Sequence, residues 1–163
     1  MTIFFTADQH FGHFNIIHYC KRPFRDVPEM NNALTNNWNE TVSNSDIVFI
    51  LGDFAMRHQN EYASQLNGQK VFLCGNHDKR WELSSLFLIS NGLHIFMQHS
   101  PYLKEVPDGT ELILCGHVHH NWKIKDWNKI PIVNVGVDVW DYKPVSLDTI
   151  IASYNVSTSH SVD

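Results

Sequence analysis

The sequence predicts an α/β chain in which two sheets pack face to face with helices outside. Three observations carry that prediction. Apolar runs of strand length stop four times at polar, turn-forming residues: TIFFT before Asp8, IVFIL before Gly52, VFLC before Gly75 and LILC before Gly116. The first half of the chain alternates such runs with helical patterns. From Glu111 onward the helical pattern fades, and short β-rich runs broken by turn residues take over.

Residues 2–6 read as a first buried strand, and residues 15–20 as a short helix that Pro23 ends. In the next helix Pro28 suits the first turn, where a missing N–H is no loss, and Met30, Leu34, Trp38 and Val42 form one apolar stripe that should pack on a sheet. Residues 46–51 are a second strand. Residues 61–66 form a short helix that Asn67 and Gly68 can close through a left-handed cap, and residues 70–74 a third strand. A helical segment is expected near residues 81–89, then a strand over 93–97 and a turn at Pro107, Asp108 and Gly109. The later β-rich runs are 112–114, 122–125, 132–135 and 145–151. One domain over residues 1–155 is expected, with the Ser- and Thr-rich residues 156–163 a loose tail.

With 163 residues, 43% of them hydrophobic, the chain can bury one sizeable core. Seventeen acids against twelve bases give a net charge of −5 without any long basic run, which disfavours a large nucleic-acid partner but not a small phosphate ligand. The three cysteines, Cys20, Cys74 and Cys115, spell neither a disulfide framework nor a C-x-x-C motif, and a reduced, cytoplasmic setting is expected. The opening MTIFFTAD lacks the features of a signal peptide, and no apolar run approaches membrane-spanning length.

Eleven histidines are the unusual figure, and imidazole is the commonest protein ligand for transition metals. His18, His58, His94 and His160 have no motif around them and read as surface residues. Others cluster where strands stop: D-x-H at 8–10, G-D at 52–53, G-N-H-D at 75–78, His99 after a strand, and G-H-x-H at 116–119. On extended backbone Asp8 and His10 would project to one side and could approach one cation. Each piece alone is weak, since a Gly-Asp after a strand is more often a turn than a ligand.

In this order, the series resembles the signatures of the calcineurin-like metallophosphoesterases. DQHFGHFNII, KRPF, VNVGVDVW and YKPVSL extend the resemblance to a subgroup of small single-domain predicted phosphoesterases over almost the whole chain. The resemblance implies a four-layer α-β-β-α sandwich of two mixed sheets and a dinuclear centre. Asp8, His10 and His119 match the ligands of one metal, Asn76, His99 and His117 those of the other, and Asp53 the carboxylate that bridges both. His77 matches the histidine that contacts the scissile phosphate and protonates the leaving oxygen, with Asp78 behind it as an orienting partner.

The ligand chemistry agrees. A carboxylate has two oxygens and can span two cations about 3.5–4 Å apart, and mixed nitrogen and oxygen donors suit Mn²⁺, Fe, Zn²⁺, Ni²⁺ or Co²⁺ better than calcium. Among the nearby cations Arg22, Arg25, Arg57, Lys79 and Arg80, Arg22 is the favoured substrate contact, with His13 a second. Phe11, Phe54 and Trp140 could stack on a base but suit a core equally. The expected activity is hydrolysis of a small phosphomonoester or phosphodiester, a nucleotide among the candidates. The competing reading is a catalytically silent metal-binding scaffold; a protein phosphatase or nuclease fits less well without accessory domains or a basic groove.

Overall fold

In strand β1 (Ile3–Thr6) consecutive side chains face opposite ways, and both ways are apolar: Phe4 joins one core and Phe5 another. The same split recurs in β2 (Ile47–Leu51), where Val48 and Ile50 face one core and Phe49 and Leu51 the other. Strands covered on both faces need near-continuous apolar runs, which is why these stretches lack polar alternation. The computed structural model describes residues 1–78 and 81–159.

Helices α1 (Phe14–Tyr19), α2 (Val27–Thr41) and α3 (Gln59–Ser64) precede β2 or β3 (Gln69–Leu73). Helix α2 begins at Asp26, whose side chain accepts from the Glu29 N–H at 2.9 Å, and buries the expected stripe of Met30, Leu34 and Trp38 against the first sheet. That sheet has the order β3-β2-β1-β9, with β1, β2 and β3 parallel and β9 (Val145–Ser146) antiparallel to β1.

The second sheet has the order β4-β5-β6-β8-β7, from β4 (Ser85–Ser90), β5 (Leu93–Gln98), β6 (Leu112–Cys115), β7 (Ile124–Trp127) and β8 (Ile130–Asn134). Between the sheets lies the core of Phe5, Leu51, Leu73, Ile95, Met97, Leu112 and Leu114, all fully buried. Loop side chains Leu103, Val106 and Trp122 cover Phe96 and Ile113 on the far face.

Two expectations are corrected. The segment near 81–89 is not helical: β4 pairs antiparallel with β5 across Asn91 and Gly92, both with positive φ (52° and 81°), a tight hairpin turn. The run 145–151 is strand only at Val145–Ser146 and then becomes helix α4 (Leu147–Ser159), where the Ser146 hydroxyl accepts from the Thr149 N–H. Helix α4 therefore enters the segment expected to be a loose tail; residues 160–163, His160 among them, lie outside the described residues. Among the described residues no helix is long and apolar enough to cross a membrane.

Candidate metal centre

Parallel strands end their runs at one edge of each sheet, and the two edges meet. Asp8 follows β1, Asp53 follows β2, Asn76 and His77 follow β3, His99 follows β5, and His117 and His119 follow β6. The sheets are joined there, where His117 N–H donates to Asp8 Oδ2 at 2.8 Å and Val137 N–H to Ala7 O at 3.0 Å, while Gly116 N–H donates to His99 O at 2.9 Å within the second sheet. A site at the carboxyl ends of the strands follows from this topology.

The backbone of these loops is unusual. Asp8, His10, Asp53, His117 and His119 all have φ between 47° and 73°, the left-handed region that non-glycine residues seldom enter. Asp8 and His10 thus converge through left-handed turns, not through the extended backbone the sequence suggested. Such strain persists only where surrounding packing holds it, and it clusters at functional sites. The loops also approach too closely for side chains: a Cβ on Gly75 would overlap the nitrogen and Oδ1 of Asp53, and one on Gly116 would come 2.7 Å from Asp8 Oδ2.

Two donor groups result. Asp8, His10 and His119 bring one ligand atom each within 4.8 Å of one another, and so do Asp8, Asp53 and His99. Asp53 Oδ2 stands between them, 3.5 Å from His10 Nε2 and 3.4 Å from His99 Nε2, while Oδ1 accepts the His77 backbone N–H at 2.9 Å. Oδ2 is thus the oxygen of this carboxylate that faces both histidines. His117 Nδ1 lies 3.3 Å from His99 Nε2 and 3.0 Å from Asn76 Nδ2, which completes the second group. His99 Nδ1 donates to Leu51 O at 2.8 Å, which aims Nε2 at Asp53; burial works against protonation of this ring, but the Asp53 hydrogen bond and the charges of Asp8 and Asp53 raise it above its ordinary value.

These residues fit divalent ions. Asp8 Oδ1 and His10 Nε2 are fully buried and have no hydrogen-bond partner, a costly arrangement unless a cation satisfies them. Protonation equilibria differ from group to group. Burial raises Asp8 to about 6, although His99 and His119 pull against it. Burial also works to raise Asp53, but the His99 hydrogen bond and charge and the His77 N–H drive it far below the usual carboxylate range. Burial holds His10 well below its ordinary value, so it stays neutral. At His119 burial opposes protonation, yet hydrogen bonds to Asp138 and Cys20 and the charge of Asp8 raise it to about 10.

All seven expected ligands thus come together. His77 is exposed at the rim, its ring centroid 5.5 Å from that of His10 and 6.0 Å from that of His13, which is half-buried. Two expectations change. Asp78 does not face the His77 ring through any hydrogen bond; its carboxylate accepts from the backbone N–H groups of Asp53, Phe54 and Gly75. Arg22 cannot grip a substrate, because its side chain is 0% exposed and its N–H groups go to Asp138, Gln9 O, Asp8 O and Met30 Sδ. Arg25 pairs with Glu29 on the surface, and Arg57 is exposed beside Met56 in a groove of about 370 Å³ shared with Asn76 and His77. Lys79 and Arg80 lie outside the described residues.

Phe11 and Phe54 are core residues with no exposure, and Trp140 donates its indole N–H to Asn134 O. Sequence reasoning missed Asp138, whose Oδ2 lies 2.9 Å from His119 Nδ1, and Cys20, which shares a ligand-sized cluster with them. The run VNVGVDVW held Asp138 in view, but nothing local marks which residue it faces.

No family model matches the chain. The uncharacterised protein MJ1445 of Methanocaldococcus jannaschii is 39% identical over 158 residues, covering 91% of this chain and 89% of that protein. Among solved structures, a protein of unknown function from Aquifex aeolicus, AQ665, superposes with a TM-score of 0.74 at 25% identity over 93% of this chain and 98% of its own. Vps29 of Chaetomium thermophilum (13% identity, 85% and 74% covered, TM-score 0.55) and a predicted phosphoesterase of Streptococcus pneumoniae (17%, 83% and 71%, TM-score 0.50) share the fold alone. Two mixed sheets meeting at this edge, shared with these solved structures, give the chain the calcineurin-like metallophosphoesterase fold, and its identity with MJ1445 over nearly the whole length means that it belongs to one family with that protein.

Proposed function

We propose that the chain is a phosphoesterase that holds two divalent transition-metal ions, drawn from Mn²⁺, Fe, Zn²⁺, Ni²⁺ and Co²⁺, and hydrolyses a small phosphomonoester or phosphodiester. The observation that carries this reading is the pair of buried, unpartnered donors, Asp8 Oδ1 and His10 Nε2, in a cluster that also contains Asp53 Oδ2. Asp8, His10 and His119 would hold one ion, and Asn76, His99 and His117 the other. Asp53 would serve both. When bound, such ions supply Lewis acidity at the phosphoryl group and lower the pKa of a coordinated water toward about 7.

The protein's own groups do the rest. His77, at the rim, gives its proton to the departing ester oxygen, and His13 beside it holds a phosphoryl oxygen. The Asp53 carboxylate keeps the His77 loop in place by accepting its backbone N–H. Two grooves flank His77: one of about 570 Å³ lined by His13, Tyr19, His119 and Asn121 among others, and one of about 370 Å³ beside Arg57. Space on both sides accommodates ester groups of nucleotide size. Reduced cysteines and the absence of a basic run favour a cytoplasmic enzyme without a large nucleic-acid partner.

The test is metal analysis of the purified protein together with hydrolysis of p-nitrophenyl phosphate, its bis diester and a nucleotide panel in Mn²⁺ or Ni²⁺. Turnover that Asp53→Asn abolishes is expected. Two bound ions without turnover of any ester would leave the metal-binding scaffold as the better reading.

A further inference from the structure

Asp138 sits in the 3-10 turn Val137–Val139, with 2% of its side chain exposed, and both its oxygens are taken. Oδ1 accepts from Arg22 Nε at 2.8 Å; Oδ2 accepts from Arg22 Nη2 at 2.9 Å and from His119 Nδ1 at 2.9 Å. The same guanidinium donates to Asp8 O at 2.7 Å and Gln9 O at 2.9 Å. One buried cation therefore fixes both the backbone that carries Asp8 and the carboxylate that faces His119.

We propose that Asp138, held by Arg22, is a positioning residue that fixes the tautomer and aim of His119 and so sets the affinity of one of the two metal sites, the one built from Asp8, His10 and His119. The proposal rests on the phosphoesterase reading. An imidazole that donates its Nδ1 proton to a carboxylate presents Nε2 as a lone pair and is a stronger donor for it. The bidentate fork removes the freedom of Asp138 to turn away, because both its oxygens must stay in the plane of the guanidinium. Cys20 lies close enough to His119 and Asp138 to form a ligand trio with them. Arg22 argues against that use, since its charge rests directly on the carboxylate that a cation would need.

The experiment is calorimetric titration of the metal-free protein with Mn²⁺. Wild type is expected to bind two ions. Asp138→Ala should weaken one of them about 10- to 100-fold and leave the other unchanged, and the isosteric Asp138→Asn, which keeps a neutral acceptor, should fall at the low end of that range. Melting temperatures of the metal-free variants report whether they fold; should the alanine variant not fold, the asparagine variant carries the test. Folded variants that bind both ions as wild type does overturn the proposal. So does a Cys20→Ser variant that weakens the same ion equally, because the trio would then be a metal site in its own right. Wild type that binds none of Mn²⁺, Zn²⁺, Ni²⁺ and Co²⁺ in the same titration overturns the phosphoesterase reading itself.

Discussion

Oδ2 of Asp78 lies 2.5 Å from the backbone nitrogen of Asp53, and Oδ1 of Asp53 accepts in return from the backbone of His77 at 2.9 Å. The two loops clasp each other, each through a carboxylate, and Asp78 also accepts from Phe54 and Gly75. A hydrogen bond to a charged group contributes about 1.5–3 kcal/mol, and an orphaned buried N–H costs a comparable amount. Asp78→Ala is expected to destabilise the protein by at least about 3 kcal/mol, which for a chain this size lowers the melting temperature by roughly 6–12 °C. Thermal unfolding checks it; an unchanged midpoint would mean that the clasp holds nothing.

Gly75→Ala attacks the same clasp from the other side. Its Cβ would overlap backbone and carboxylate atoms of Asp53, neither of which is a flexible side-chain end that can swing away. Overpacking of this kind costs about 1–3 kcal/mol or more, and relief requires moving Asp53. The expected result is a lower unfolding midpoint together with weaker Mn²⁺ binding, measured by denaturant titration and calorimetry. Stability loss without any change in metal affinity would detach Gly75 from the centre.

Arg22 and His13 separate two roles that the sequence had joined. Arg22 is buried against Asp138, so Arg22→Ala strands a carboxylate and should cost about 3–5 kcal/mol, seen in denaturant unfolding. His13 is half-buried at the rim with its ring 6.0 Å from that of His77. His13→Ala should raise KM for whichever ester is turned over while changing stability by no more than about 0.5 kcal/mol. A rise in KM with normal stability in the Arg22 variant would reverse the assignment.

These cases mark what sequence can and cannot reveal. The ligand loops were legible because a buried run that ends in Gly-Asn-His-Asp or Gly-His-Val-His has no structural need for such residues, and α2 was legible because its stripe recurs every four residues. Strand β4 was misread although Asn91 and Gly92 stood between two apolar runs, the signal of a tight hairpin. Helix α4 hid behind β-branched residues, and the Ser146 cap was the cue against them. Arg22 was placed near the centre correctly, but its partner Asp138 lies 116 positions away, and no local pattern encodes a contact made only when two sheets close.

In the metal-free protein Asp8 should contribute to the acid response in an unusual direction. Asp8 is held at about 6 in the folded protein against 3.8 for the free side chain. Its folded pKa is raised, so the folded state holds the extra proton between those values and stability falls as pH rises from about 4 to 6. The shift corresponds to about 3 kcal/mol at most. Burial raises Asp78 too and adds in the same direction, whereas the lowered Asp53 removes stability only as pH falls below the ordinary carboxylate value. His10, His13 and His117, all held below their ordinary value by burial, oppose this across the same range, because their unfolded forms take up protons there. The Asp8 contribution is therefore read as a difference: with a chelator, the melting temperature of wild type relative to Asp8→Asn should decline between pH 4 and 6, and a constant difference would remove the raised Asp8 carboxyl from the balance.

His77→Ala distinguishes a hydrolase from a scaffold. The side chain is exposed, and the contact that ties this residue to the centre is its backbone N–H on Asp53, which alanine keeps. Neither the loop nor the ligand set should change, so metal content and melting temperature are expected to match wild type. What alanine removes is the imidazole beside His10 and His13, the group proposed to protonate the leaving oxygen. Loss of a positioned proton donor lowers turnover by about 10²–10⁴-fold, most for esters whose leaving group is a poor one and least for p-nitrophenolate, which departs without a proton. Steady-state rates on an alkyl and a nitrophenyl ester, measured on metal-loaded protein, give that ratio. Equal losses on both, or a drop in bound metal, would remove His77 from proton transfer and place its effect in the loop.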